Sequence, residues 1–132
     1  MADYTPISAD NSAITLTAGA VVTGGLLVKL SADDTVIHTV NSTTDKAIGV
    51  AAHDAPSGGR VTVWLLPGFM HELTLEVGAT AVAGNLAVPS TTSGRVNVTT
   101  YSTVSVAPVN VLGVVVRSTV NAAGTKVRVL GL

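Results

Sequence analysis

The chain has 132 residues, is 47% hydrophobic with a mean hydropathy of +0.54, and is only 11% charged, against roughly 25% in an average globular domain. A net charge of −1, a pI near 6.2 and no run of Lys or Arg exclude the electrostatic footprint of a nucleic-acid binder. No apolar stretch approaches the ~18 residues of a membrane-spanning helix, 3% aromatic residues are too few for the girdles of an outer-membrane barrel, and the absence of cysteine excludes disulfides and thiolate chemistry.

What these exclusions leave is one domain with an apolar, charge-poor surface, of the kind that other protein covers in an obligate assembly. The first residues, "MADYTPISAD", lack the basic start and apolar core of a secretion signal, so synthesis in a cytosol is expected. Residues 1–17 are small and polar, contain Pro6 and have no counterpart later in the chain. Extended, the first 13 would reach roughly 45 Å. They read either as a frayed terminus or short edge strand, or as an arm that adds a strand to a neighbouring subunit.

From there on, short runs rich in Val, Ile, Leu and Thr alternate with clusters of Gly, Pro, Asp, Asn and Ser, and helical periodicity is nearly absent. The pattern predicts an all-β domain. Strands are expected near Ile14–Thr17, Leu26–Leu30, Val36–Val40, Ala47–Ala52, Val61–Leu65 and His71–Glu76. Further strands are expected near Leu86–Val88, Arg95–Thr100, Val111–Arg117 and Lys126–Leu130.

The later strands echo the earlier ones. "AVVTGGLLV" (20–28) is answered by "TAVAGNLAV" (80–88), with Gly24 matched to Gly84 at an offset of 60. "TVIHTV" (35–40) corresponds to "GRVNVT" (94–99), Gly49 to Gly113 at an offset of 64, and Val61 to Val127 at 66. The reading is a duplicated β-motif, residues 18–66 and 77–132, joined by "PGFMHELTLE". Each copy is too small for a good core alone, so the two are expected to pack into a single compact, pseudo-symmetric β-barrel or sandwich spanning 18–132.

Catalytic constellations are not evident. His38, His53 and His71 show no metal-ligand spacing. Asp33, Asp34 and Asp54 fall in predicted turns, where Asp bonds the local backbone, and His71 and Glu72 are adjacent on a strand and so face opposite sides. Ser57 before Gly58 and Gly59 lacks the nucleophile-elbow pattern, and "SGG" reads as a hairpin turn echoed by "AAG" at Ala122–Gly124. The scattered glycines of "TAGAVVTGG" are followed by no helix that could hold a phosphate. The expectation is a non-enzyme without cofactor or metal. Trp64, Phe69 and Met70 concentrate the large side chains; Trp64 reads either as the filler of a small barrel or, with Phe69 and Met70 beyond the Pro67-Gly68 turn, as part of a subunit interface.

The segments "LTAGAVVTGGLLV", "AIGVAAHDAPSGGRVTVWLLPGFMHEL", "VGATAVAGNLAV" and "VLGVVVRSTVNAAGTKVRVLGL" resemble the small capsid decoration, or cement, proteins of tailed bacteriophages, over about Ile14 to Leu132. The resemblance implies a β-tulip-like fold, no catalysis, and attachment as homotrimers to the outside of the assembled head at three-fold or quasi-three-fold positions, where such proteins stabilise the shell. The implied partners are the major capsid protein and the chain itself, with no nucleic acid and no membrane, and the implied location is the outer capsid surface of the virion. Families of this kind often contact the lattice through the N-terminal segment, a place held here by Ala2, Asp3, Tyr4, Thr5, Pro6 and Ile7. The rival expectations are a tail, baseplate or fibre-attachment module or an adhesin on the same fold, and a small β-barrel enzyme using His53 or His71.

Overall fold

The computed structural model describes residues 13–68, 70–100, 110–120 and 126–131, and these residues form twelve strands and no helix. In the first half, β1 (Ala13–Ala18), β2 (Leu27–Ala32), β3 (Thr35–His38), β4 (Ala47–Ala51) and β5 (Arg60–Leu65) close into a barrel in the order β1-β3-β2-β4-β5. The two-residue turn that reverses β2 into β3 is Asp33-Asp34, and Asp34 takes a positive φ of 52°, a conformation that short Asp and Asn side chains tolerate better than most. β5 returns antiparallel along β1 from Thr17↔Arg60 to Ala13↔Trp64, and β1 meets β3 in parallel at Thr17↔Thr35 and Ala18↔Val36. Alternation at period two points Leu16, Ala18, Val61 and Val63 into the barrel.

The second half comprises β6 (Met70–Thr74), β7 (Thr80–Ala81), β8 (Leu86–Pro89), β9 (Val96–Thr99), β10 (Gly113–Val115), β11 (Thr119–Val120) and β12 (Lys126–Gly131). Its five-stranded sheet runs β6-β12-β10-β8-β9, and β7 pairs separately with β11. Substituting β6, β8, β9, β10 and β12 for β1, β2, β3, β4 and β5 gives the strand order of the first half. The registers repeat as well: Leu16↔Val61 becomes Leu73↔Val127, Val28↔Gly49 becomes Ala87↔Gly113, and Val50↔Trp64 becomes Val114↔Leu130. Even the parallel seam recurs, as the bridge Leu75↔Val96, where Glu76 N–H donates to Val96 at 2.8 Å just as Gly19 N–H donates to Val36 at 2.8 Å. The small β7·β11 pair answers the single bridge Val22↔Ala55.

These registers move the expected repeat boundaries. Residues 13–17, assigned to the arm, form most of β1 and hold the barrel shut against β5; residues 1–12 lie outside the described residues. The supposed joining segment at 67–76 contains β6, the counterpart of β1, so the units begin at Ala13 and Met70. Gly84 is matched by Gly25 and not by Gly24: both have positive φ, 90° and 84°, and both donate to the carbonyl of a corresponding strand, Val115 and Ala51, at 2.8 Å. The "AAG" echo at 122–124 lies outside the described residues.

All-β architecture on a repeated motif is thus what the chain has, but the core is divided. One cluster, containing Leu16, Val28, Val36, Val61 and Val63, fills the first barrel. The other, containing Leu73, Leu75, Val96, Val127 and Val129, fills the second half and extends to Leu27, Val50 and Leu66 of the first. Leu27 and Val28 are adjacent on β2 and both 0% exposed, because one faces the second half and the other its own barrel. That two-sided burial joins the halves, along with Leu27 N–H donating to Gly94 at 2.8 Å and Gly94 N–H donating to Thr39 at 2.8 Å.

The hydrophobic-Gly-Val motif of each copy has a single cause. A Cβ on Gly49 would run into the carbonyl of Trp64, and a Cβ on Gly113 into the carbonyl of Leu130, the corresponding residue. Backbone approaches backbone there too closely for any side chain.

Candidate interaction surfaces

The outward positions of paired strands carry the exposed side chains. On β5, the inward Val61 and Val63 leave Thr62 and Trp64 outward, and Trp64 is 46% exposed beside Ala13 of β1. The expectation of a Trp filling a small barrel is therefore overturned: the interior is already filled by Val and Leu, and the phase of "RVTVWL" puts the indole outside. On β6 and β12 the corresponding outward pairs are Met70–Leu130, Glu72–Arg128 and Thr74–Lys126. Met70 is 53% exposed and Leu130 42%. Leu130 was not singled out from sequence, although the alternation Val127, Arg128, Val129, Leu130 marks it as outward in the same way as Trp64. Phe69, and the arm residues Ala2, Asp3, Tyr4, Thr5, Pro6 and Ile7, lie outside the described residues.

Polar side chains elsewhere are committed to the fold. Thr23 N–H donates to Nε2 of His38 at 2.9 Å, so the ring proton sits on Nδ1 and is donated to Leu27 at 2.8 Å. His53 repeats the arrangement, with Nε2 accepting from Thr62 N–H at 3.2 Å and Nδ1 donating to Asp54 at 2.9 Å. His71 donates from Nε2 to the Leu65 carbonyl at 2.9 Å, while neighbouring Glu72 turns outward to Arg128 at 2.9 Å. Asp54, like Asp33 and Asp34, is exposed in a connection between strands, and its Oδ1 accepts from Gly24 N–H at 2.8 Å. The three histidines, on β3, after β4 and on β6, are not brought together, and among the described residues no three His, Asp or Glu side chains form a set that could hold a metal ion.

Among the described residues, one carboxylate is buried. Asp45 is 3% exposed; its Oδ1 takes the ammonium of Lys29 at 2.5 Å, and its Oδ2 accepts the amides of Val40 at 2.7 Å and Asn41 at 3.0 Å. Burial by itself would raise the pKa, but the Lys29 hydrogen bond and charge together with the two amides outweigh it and hold the carboxyl below its usual value. The set ties the β3–β4 connection to β2 and has the makings of a structural clasp, not of an acid or base, because every oxygen already has a partner.

Between the halves, Ile48, Leu65, Leu66, Pro67, Val111 and Leu112 line an apolar groove of about 270 Å³, with Lys46 at its edge. Among the described residues, the exposed features are therefore apolar side chains on strand faces, this groove, and charged residues of both halves.

No protein-family model and no curated protein sequence matches the chain. Among solved structures, it is similar to the head fiber gp8.5 N base of bacteriophage phi29, with a TM-score of 0.61 and 18% sequence identity over 91% of this chain and 96% of that one. The likeness runs through both halves and establishes the fold.

Proposed function

We propose that this chain is a structural protein of a phage head, attached to the outer capsid surface, and that it acts by binding and bracing, with no catalytic step. The observation that carries the proposal is the similarity in fold, along 91% of the chain, to the base of a phage head fiber. Composition supports it independently, since a chain with only 11% charged residues and with outward Trp64, Met70 and Leu130 is suited to being covered by protein. The finer reading is a decoration protein that binds the major capsid protein as a homotrimer at three-fold or quasi-three-fold positions. Residues Ala2 to Ile7 would then reach the lattice, and Trp64, Phe69 and Met70 would lie between subunits. Many symmetric copies would convert weak single contacts into firm attachment through effective concentration.

A second reading is favoured by the same structural neighbour: the body is a mount, fixed to the head, for a further fibre. Both readings are tested by incubating the purified protein with undecorated capsid shells and counting the copies that sediment with them. Saturation at the number of three-fold and quasi-three-fold positions supports decoration. Saturation at far fewer copies, confined to particular vertices or faces, supports the mount. No binding to shells rejects both.

A further inference from the structure

The internal repeat offers a control for one feature of the second half. In the first half, the outer corner of β1 and β5 is uncharged apart from Arg60: Thr15 lies opposite Thr62, Arg60 reaches Thr17 Oγ1 at 3.5 Å, and His53 closes the corner by accepting from Thr62 N–H. The same corner of β6 and β12 has Glu72 opposite Arg128, and Lys126 donates to Thr74 Oγ1 at 2.8 Å. Arg117 stands where His53 stood, as the matched bonds Ala52 N–H to Thr62 and Val116 N–H to Arg128 establish. The result is a hollow of about 140 Å³ lined by Glu72, Arg117, Ser118, Lys126 and Arg128, which gathers three of the chain's seven basic residues around one carboxylate. Glu72 is bonded to Arg128, and the charges of Arg117 and Lys126 act on the same carboxylate, so three cations face one anion. The strand frame does not need this charge, because the first half builds the same frame without it.

Opposite charge is exposed elsewhere on the same chain. The β2–β3 turn carries Asp33 and Asp34, adjacent and both exposed, and neither carboxylate is paired with a described residue. In the second half the corresponding turn, at 91–94, is Thr-Thr-Ser-Gly. Thus the acidic tip occurs only in the first half and the basic hollow only in the second. Each is flanked by exposed apolar residues, Leu30 at 53% beside the tip and Val116 at 41% beside the hollow. Burying such flanks would add apolar area to the contact, while its charge pairs, exposed at the rim, would stay sensitive to salt.

We infer that the hollow formed by Arg117, Lys126 and Arg128 is the docking site for the Asp33-Asp34 turn of a second copy of this chain. The contact joins two different patches, so it is head-to-tail and generates a ring or an open chain of copies. It does not depend on what surface the copies sit on, and so stands apart from the proposed attachment to a head. A single carboxylate fits the hollow's volume, and the two forked guanidinium groups suit carboxylate geometry.

The test is sedimentation velocity on four forms of the purified full chain at low and high salt: wild type, Arg117→Glu/Lys126→Glu, Asp33→Lys/Asp34→Asn, and all four changes together. Asn is chosen at 34 because it tolerates the positive φ. Wild type is expected to self-associate, less so at high salt; each double variant should weaken association by about tenfold or more, and the combined variant should recover it. Thermal melts separate lost association from lost folding, and both pairs are exposed, so folding is expected to survive. A wild-type protein that stays monomeric, or association unmoved by the Arg117/Lys126 changes, overturns the inference. Association lost with the hollow but indifferent to Asp33 and Asp34 overturns the assigned occupant and points to another acidic segment.

Discussion

The two halves share a strand order, a set of registers and a glycine in the same tight place, yet they are held together differently. The first half closes through a continuous β1·β5 ladder and two parallel pairs between β1 and β3, and it clasps its β3–β4 connection with the buried Lys29–Asp45 pair. In the second half the parallel seam is reduced to the bridge Leu75↔Val96, and the position of Lys29 on β2 is taken on β8 by Val88, buried at 5% exposure. The first half's outer corner is mostly uncharged and self-satisfied, and the second half's is charged and open. What both keep is backbone geometry; what varies is the surface chemistry mounted on it. One framework used twice thus carries two different surfaces.

The sharpest test of the equivalence is Gly49→Ala beside Gly113→Ala. Each places a Cβ against the opposing carbonyl, so each should lower stability by about 3–5 kcal/mol in chemical denaturation, because a backbone carbonyl cannot step aside as a side chain can. A severe loss at one and a mild loss at the other would break the correspondence of β4 with β10.

Next in size is the joint. Leu27→Ala removes a side chain of the first half from the core of the second and should cost about 3 kcal/mol. Trp64, the only tryptophan, reports on the first half alone, while far-UV circular dichroism reports on both. The two transitions should coincide in the wild type and separate in Leu27→Ala; coincidence in the variant would place the joint elsewhere.

Asp45→Ala sharpens the contrast in a smaller way. It strands two amides and the Lys29 ammonium and should cost about 2 kcal/mol at neutral pH. Because the folded carboxyl titrates below its unfolded value, its contribution is complete above roughly pH 5 and disappears as pH falls below about 4 through the folded value. The wild-type advantage over Asp45→Ala should therefore shrink on acidification; an advantage that is flat from pH 7 to pH 3 would remove the clasp from the account. Glu72→Gln is expected to have the least effect on stability, since the Glu72–Arg128 pair is exposed, and its melting temperature should match the wild type's within error.

Much of this was legible in the sequence. Alternating Val and Thr runs placed the ten longer strands, and the glycine echo revealed the repeat, because close backbone approach restricts those sites to one residue type. The pairs β7 and β11 were missed because two residues give no period to read. The equivalence of β1 with β6 was hidden because "AITLTA" and "MHELTL" share only Leu16/Leu73 and Thr17/Thr74. The strand pairing that relates them depends on main-chain bonds, which leave little trace in side chains. The two cores were invisible for a related reason: Leu27 and Val28 are buried on opposite faces, so alternation fails at the joint. The exposure of Trp64 was readable from the phase of Val61 and Val63, but the general tendency of Trp to be buried argued the other way. The basic hollow left no run of Lys or Arg, as Glu72, Arg117 and Arg128 meet only when β6, β12 and the end of β10 are assembled.

The proposed attachment to the outside of a phage head is tested most directly by image reconstruction of head particles isolated from cells that produce this chain. The expected result is density outside the shell into which the two unequal five-stranded units fit, repeated with the symmetry of the lattice. Shells bare of such density, with the chain recovered from the tail or from no particle, would contradict it.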